Sequence, residues 1–194
     1  MVADKDIANL ALTRIGADMI TSLESDNESR AVLCKELLPI YKRAVLRLHP
    51  WSFALKRQAL SRVSDQTGMW KYSYAFQLPT DPKCLRVIES DADKYGVPWT
   101  IEGGYLVTNN ETITITYIAD ITEPGLYDAQ FVEVLAARLA WALAKPIAGD
   151  DKLLEDCRSE YLLLLGEAQA SDGQEETVNE GDQGANVFTD VRFG

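Results

Sequence analysis

Residues 41–54 read YKRAVLRLHPWSFA, and the character of the chain changes inside this stretch. Upstream, Ala31, Cys34, Leu38, Tyr41, Val45 and Leu48 recur every three to four residues, the period of one face of an amphipathic helix. Pro50 closes that helix, because proline lacks an amide proton and its ring crowds the preceding turn. Beyond Trp51 the helical period disappears. Segments 72–78 (YSYAFQL), 84–89 (CLRVIE), 100–107 (TIEGGYLV) and 111–119 (ETITITYIA) are rich in β-branched and aromatic residues and punctuated by Pro, Gly and Asn, which predicts strands joined by turns. In the last of them Ile113, Ile115 and Tyr117 alternate with threonines, as in a half-buried antiparallel strand. Gly103-Gly104 and Asn109-Asn110 supply turns that tolerate positive φ.

Working outward, residues 3–16 place Ile7, Leu10, Ala11 and Ile15 at helical spacing, with Gly16 as the stop. Ser25, Asp26 and Asn27 offer N-cap oxygens for the second helix, and Pro39 inside it is expected to kink it or divide it near Leu38. Helix returns with Phe131, Val134, Leu135, Leu139 and Ala142, ended by Pro146 and Gly149, and again with Leu153, Leu154, Cys157, Tyr161, Leu164 and Leu165. The order α-α-β-β-β-β-α-α predicts an α+β fold. N- and C-terminal helices form a bundle, with a small antiparallel β-domain inserted between them and an extended C-terminal tail. The expected divisions are a first helical half at 1–50, a β-domain at 51–122, a second helical half at 123–170 and an acidic tail at 171–194. No repeat of 20–50 residues argues for a solenoid.

Residues 171–186, SDGQEETVNEGDQGAN, offer almost nothing to bury and read as a flexible linker. Val187, Phe188, Val191 and Phe193 follow, and burying each phenylalanine would contribute roughly 1.5–3 kcal/mol. The end of the tail is therefore expected to dock, on its own subunit or on a neighbour, with the neighbour favoured.

The chain has 194 residues and a formal charge of −11, with 46% hydrophobic and 25% charged residues, close to ordinary globular composition. Its acidity argues against a general nucleic-acid binder, which needs an excess of Lys and Arg to displace phosphate counterions. The charge is uneven: residues 28–62 hold eight basic against two acidic side chains, while residues 166–194 hold one against seven. Arg30, Lys35, Lys42, Arg43 and Arg47 form a candidate basic interface, suited to a complementary protein surface or to DNA phosphates, and a solvated helix face explains them as well. No apolar run approaches a membrane span, and the start MVADKDIANLALTRIG lacks the basic-then-apolar order of a signal peptide, so a protein made in the cytoplasm without a membrane anchor is expected. Three dispersed cysteines, Cys34, Cys84 and Cys157, fit neither a disulfide framework nor a zinc site and read as reduced thiols.

Catalytic chemistry finds little footing. The single histidine, His49, sits beside Pro50 and an aromatic cluster and reads as a packing or helix-end residue rather than a base. Phosphate-cradling and nucleophile-elbow motifs are absent. Asp150-Asp151 suits a helix start, Asp128 an N-cap, and Glu175-Glu176 a solvated tail; Asp120 and Glu123 lie near Asp128 in sequence but define no catalytic spacing. No catalytic, cofactor or metal residue is assigned.

Several segments in order nevertheless resemble a known family. Leu12-Thr13-Arg14-Ile15-Gly16, then Ile20 to Ser25 (ITSLES), then Ala31 to Cys34 are similar to the opening of phage tail tubular protein A, the head-to-tail adaptor of short-tailed phages. Tyr41 to Arg43, Leu46, His49-Pro50-Trp51-Ser52-Phe53-Ala54 and Arg57 look like that family's helix ending in a Trp-x-Phe segment. Tyr74 to Pro79 with Asp81, and Cys84 to Val87, look like its first strands. The similarity covers most of the chain and is firmer over 7–88 than over 89–194. It implies a structural virion protein of the tail or neck, in a ring of twelve copies between the portal protein and the tail nozzle, a tail tubular B-like protein. The helices would face the portal and the β-region the nozzle, with DNA only in transit through the channel. Trp51 and Phe53 are expected to fix the helix-to-sheet corner. The alternative implied by the same family is a carboxylate-dependent cell-wall or saccharide hydrolase carried in the virion. A DNA-binding packaging factor is the third reading, and it predicts salt-sensitive retention on DNA by the monomer.

Overall fold

A computed structural model describes residues 2–63 and 71–180. The helices are α1 (Asp4–Arg14), α2 (Ser29–Leu48), α3 (Ala129–Leu143) and α4 (Asp151–Glu180); the strands are β1 (Leu55–Ala59), β2 (Tyr74–Gln77), β3 (Cys84–Ser90), β4 (Trp99–Glu102), β5 (Tyr105–Thr108) and β6 (Thr114–Ala119). The chain is α+β, with terminal helices around a central antiparallel β-region.

α3 is the pillar of the bundle, packing against α1, α2 and α4. Its sequence explains the position: Phe131, Val134, Leu135, Ala136, Ala137, Leu139, Ala140 and Leu143 are buried and point to all sides, as expected of a helix surrounded by neighbours. Asp128 caps its start by accepting the Gln130 amide at 2.7 Å. Its end passes into a wide π-turn, Ala144–Ala148, around Pro146, and Gly149 at φ 69° lets the chain reverse into α4. Asp150 then caps α4 through the amides of Lys152 and Leu153. Arg14 of α1 ties the bundle together by bridging Glu133 of α3 and Glu160 of α4.

Pro39 does not divide α2, which runs unbroken for 20 residues. Both Pro39 and Lys35 are exposed, so the carbonyl that loses its proline donor faces water and the penalty stays small. The helix starts later than the candidate caps suggest: Glu28 is the N-cap residue, and the Asp26 carboxylate accepts the Glu28 amide in the preceding turn.

Among the described residues six strands replace the four expected. Gly103 and Gly104, at φ 58° and 87°, split the 100–107 segment into the hairpin β4–β5. The additional strand is β1, whose sequence LKRQA hides its pattern because four of its five residues are exposed. One sheet has the order β1-β6-β3 and the other β2-β5-β4, all antiparallel. Residues 60–63 connect them, with the Leu60 amide donating to the Ile113 carbonyl just before β6 and the Val63 amide donating to the Ala75 carbonyl of β2. Ile113, Ile115 and Tyr117 are buried in alternation as the sequence predicts, while Ile118 and Ala119 are buried too, so the end of β6 is covered on both faces.

The segment 171–180, read above as linker, is helical: α4 continues to Glu180. Its buried stripe, Cys157, Tyr161 and Ala168, extends to Asp172, which is bonded to the α2–β1 corner, and Gln and Glu are fair helix formers beyond it. Val187, Phe188, Val191 and Phe193 lie outside the described residues. Among the described residues no helix is long and apolar enough to cross a membrane.

Candidate functional site at the helix-to-sheet corner

Pro50 stops α2 and leaves its last carbonyls without helical donors. Trp51 meets one of them: its indole Nε1–H donates to the Val45 carbonyl at 3.1 Å, folding the ring back beneath the helix end. The ring is 1% exposed, edge-on to Phe131 at 5.3 Å and to His49 at 4.9 Å. Phe53, one residue beyond the single-turn helix start at Ser52, packs edge-on against Phe131 at 5.1 Å and lies 5.9 Å from Tyr127. Trp51 and Phe53 thus fasten α2 to the start of α3 and turn the chain into β1. Burial pushes the Tyr127 phenol above its usual range, with Asp4 and Asp120 adding to the shift, so it stays a neutral donor to the Ile121 carbonyl.

Asp172 of α4 completes the corner. Its Oδ2 accepts from His49 Nε2 at 2.7 Å, and its Oδ1 accepts both the Ser52 hydroxyl at 2.7 Å and the Ser52 amide at 3.2 Å. Serine, histidine and aspartate therefore meet, but with the carboxylate in the middle. The Ser52 hydroxyl is bonded to an anion rather than to the imidazole, so the arrangement lacks the nucleophile–base contact of acyl-transfer triads. The residue missed from the sequence is Asp172; the signal was the continuation of the helical stripe through Ala168 into a segment read as linker.

A cleft of about 330 Å³ opens beside this joint, bordered by Trp51, Phe53, Asp128 and Asp172. Two carboxylates with an aromatic wall would suit a saccharide, yet both are committed, Asp128 to the cap of α3 and Asp172 to His49 and Ser52. Asp120 and Glu123 do not join them. Asp120 is held by Arg43 Nε at 2.7 Å with a side chain only 5% exposed. Among the described residues no group of three or more His, Cys, Asp or Glu side chains is placed to hold a metal ion.

The candidate basic interface is largely spent inside the chain. Arg30 pairs with Glu28 and Asp18, Lys35 with Glu24 at 2.6 Å, and Arg43 with Asp120. Arg47 donates to the Leu85 carbonyl of β3, and Lys42 is 8% exposed with its stem in the bundle. Cys34 and Cys157 are buried and Cys84 partly so; all three are free thiols, and burial pushes Cys34 up to about 11. The structure brings Trp51 and Phe53 together; it distributes the five basic residues among separate ion pairs and backbone contacts.

No family model and no curated protein matches this sequence.

Proposed function

We propose that the chain is a structural head-to-tail connector of a phage virion, a ring-forming adaptor that joins the portal to the tail nozzle and lets DNA pass through its channel. The observation that carries this reading is the corner from His49 to Ala54. The residues with the most specific resemblance to the adaptor family are committed to packing and hydrogen bonding, as befits a joint in a scaffold and not a reactive centre. Internal pairing of the basic residues supports it as well, since a channel for DNA is served by a surface that does not hold phosphates, and the chain's net charge of −11 limits adhesion.

Electron microscopy of the protein mixed with its portal tests the proposal. A ring seated coaxially on the portal is the expected result; a protein that stays monomeric beside intact portal overturns it. For the hydrolase alternative, the committed carboxylates predict no peptidoglycan or saccharide cleavage by the purified chain.

A further inference from the structure

Two helices of this chain present outward faces of opposite character. On α2, Leu33, Leu37, Ile40, Ala44 and Leu48 recur at intervals of three or four and so share one face, a stripe about 22 Å long. Ile40 and Leu48 are 60% and 52% exposed, and Tyr41 borders the same face. Across Tyr41 lies Arg138 of α3. Its guanidinium stacks 3.9 Å from the centre of the Tyr41 ring and 4.4 Å from that of Trp141, and 5.8 Å from Tyr161 of α4. Stacking occupies the faces of the guanidinium and leaves its N–H edge without an ion pair or hydrogen bond among the described residues. Flat aromatic rings with an arginine of this kind are the composition of interface centres.

The outward face of α4 is the complement. Leu162 and Leu163 are 54% and 62% exposed, with Glu155 and Asp156 before them and Glu167 after. Most charges of the two helices are already paired within the subunit, among them Arg30, Arg43, Glu155 and Glu160, but Asp156 and Glu167 of α4 are exposed and have no ion pair among the described residues, so the α4 face offers free carboxylates where the α2 border offers the open edge of Arg138. Both helices pack on α3, and among the described residues nothing covers the exposed leucines of α4.

We propose that the outward stripe of α2, with Arg138 at its border, receives the outward face of α4 from a second copy of the chain. Leu162 and Leu163 cover Ile40 and Leu48, and a carboxylate, Asp156 or Glu167, takes the open edge of Arg138. The two contributing faces differ, so the contact is head-to-tail and each copy keeps one donor and one acceptor face. This deepens the connector reading, and closure of the series into a ring rests on that reading; the pairwise contact does not.

The test uses sedimentation and native mass spectrometry of the full chain, Ile40→Asp and Leu163→Asp, with circular dichroism to establish that each variant is folded. The parent is expected to self-associate, and each variant alone to lose about tenfold or more in association constant. An equimolar mixture of the two variants is expected to form a 1:1 dimer that grows no further, because each supplies the face the other lacks. A parent that stays monomeric at about 100 µM, a variant that assembles like the parent, or a mixture that remains monomeric overturns the proposal. Because portal is not needed, a failure here is distinguishable from failure of the connector reading, which is read from portal-bound rings.

Discussion

Asp172 and His49 are 123 positions apart and joined by a 2.7 Å hydrogen bond between Oδ2 and Nε2. That bond, with the two that Ser52 donates to Oδ1, pins the distal part of the last helix to the point where the second helix turns into the sheet. Asp172→Ala removes all three hydrogen bonds at once. Leaving partly buried donors unmet costs roughly 1–3 kcal/mol, so denaturant melts are expected to shift by that amount. Hydrogen exchange is expected to quicken in the turns around Ala168 and Asp172 while α3 keeps its protection; an unchanged exchange pattern would remove the pinning role.

Trp51 combines burial with a cap on the Val45 carbonyl, and the two contributions separate by substitution. Trp51→Ala is expected to lose about 3–5 kcal/mol, the usual cost of emptying a large buried aromatic site. Trp51→Phe keeps most of the packing against Phe131 and loses the indole donor, an added cost of about 1 kcal/mol. Equal losses in the two variants, measured by equilibrium unfolding, would show that packing plays no part.

Asp120 is the buried member of its ion pair, and its Oδ1 has no hydrogen-bond partner among the described residues. Arg43→Met strands that carboxylate and is expected to destabilise the fold by roughly 1–3 kcal/mol. In the Asp120→Asn background the same Arg43→Met change is expected to cost much less, since no charge is left to strand. A double-mutant cycle with no coupling would release Arg43 from this role.

Asp93 accepts the Ser90 amide at 2.7 Å and the Trp99 indole at 2.8 Å, tying the turn after β3 to the start of β4. These bonds favour the ionised form and hold its carboxyl below the ordinary 3.8. A depressed carboxyl contributes stability that is fully present above its unfolded value and fades as pH falls through the lower folded value. The stability gap between parent and Asp93→Ala should therefore be widest near neutrality and narrow below about pH 3.8, read from denaturant melts across that range. A gap that widens on acidification would reverse the assignment.

Cys34 is wholly buried and its thiol is pushed up to about 11, so it should resist alkylation at pH 8 in the folded protein. Cys84, only partly buried, should be labelled first, as followed by mass spectrometry. Labelling of Cys34 at the rate of Cys84 would contradict its place in the bundle core.

Taken alone, the sequence determined the kinds of element and most of their ends. The three-to-four-residue stripe through Cys34, Leu38 and Val45, the stop at Pro50 and the alternation of Ile113, Ile115 and Tyr117 arise from sterics and solvent exposure within a few residues, and local order records them. Tertiary structure decided the rest. β1 is a strand because β6 pairs with it, though its own residues show no alternation to announce it. Pro39 is tolerated because it faces water, and α4 runs past residue 170 because Asp172 finds His49 and Ser52. The basic residues looked like one surface because they are neighbours in sequence, yet Arg43 answers to Asp120 and Arg47 to Leu85. Such partners lie tens of positions away, and only the folded chain brings them within hydrogen-bonding distance.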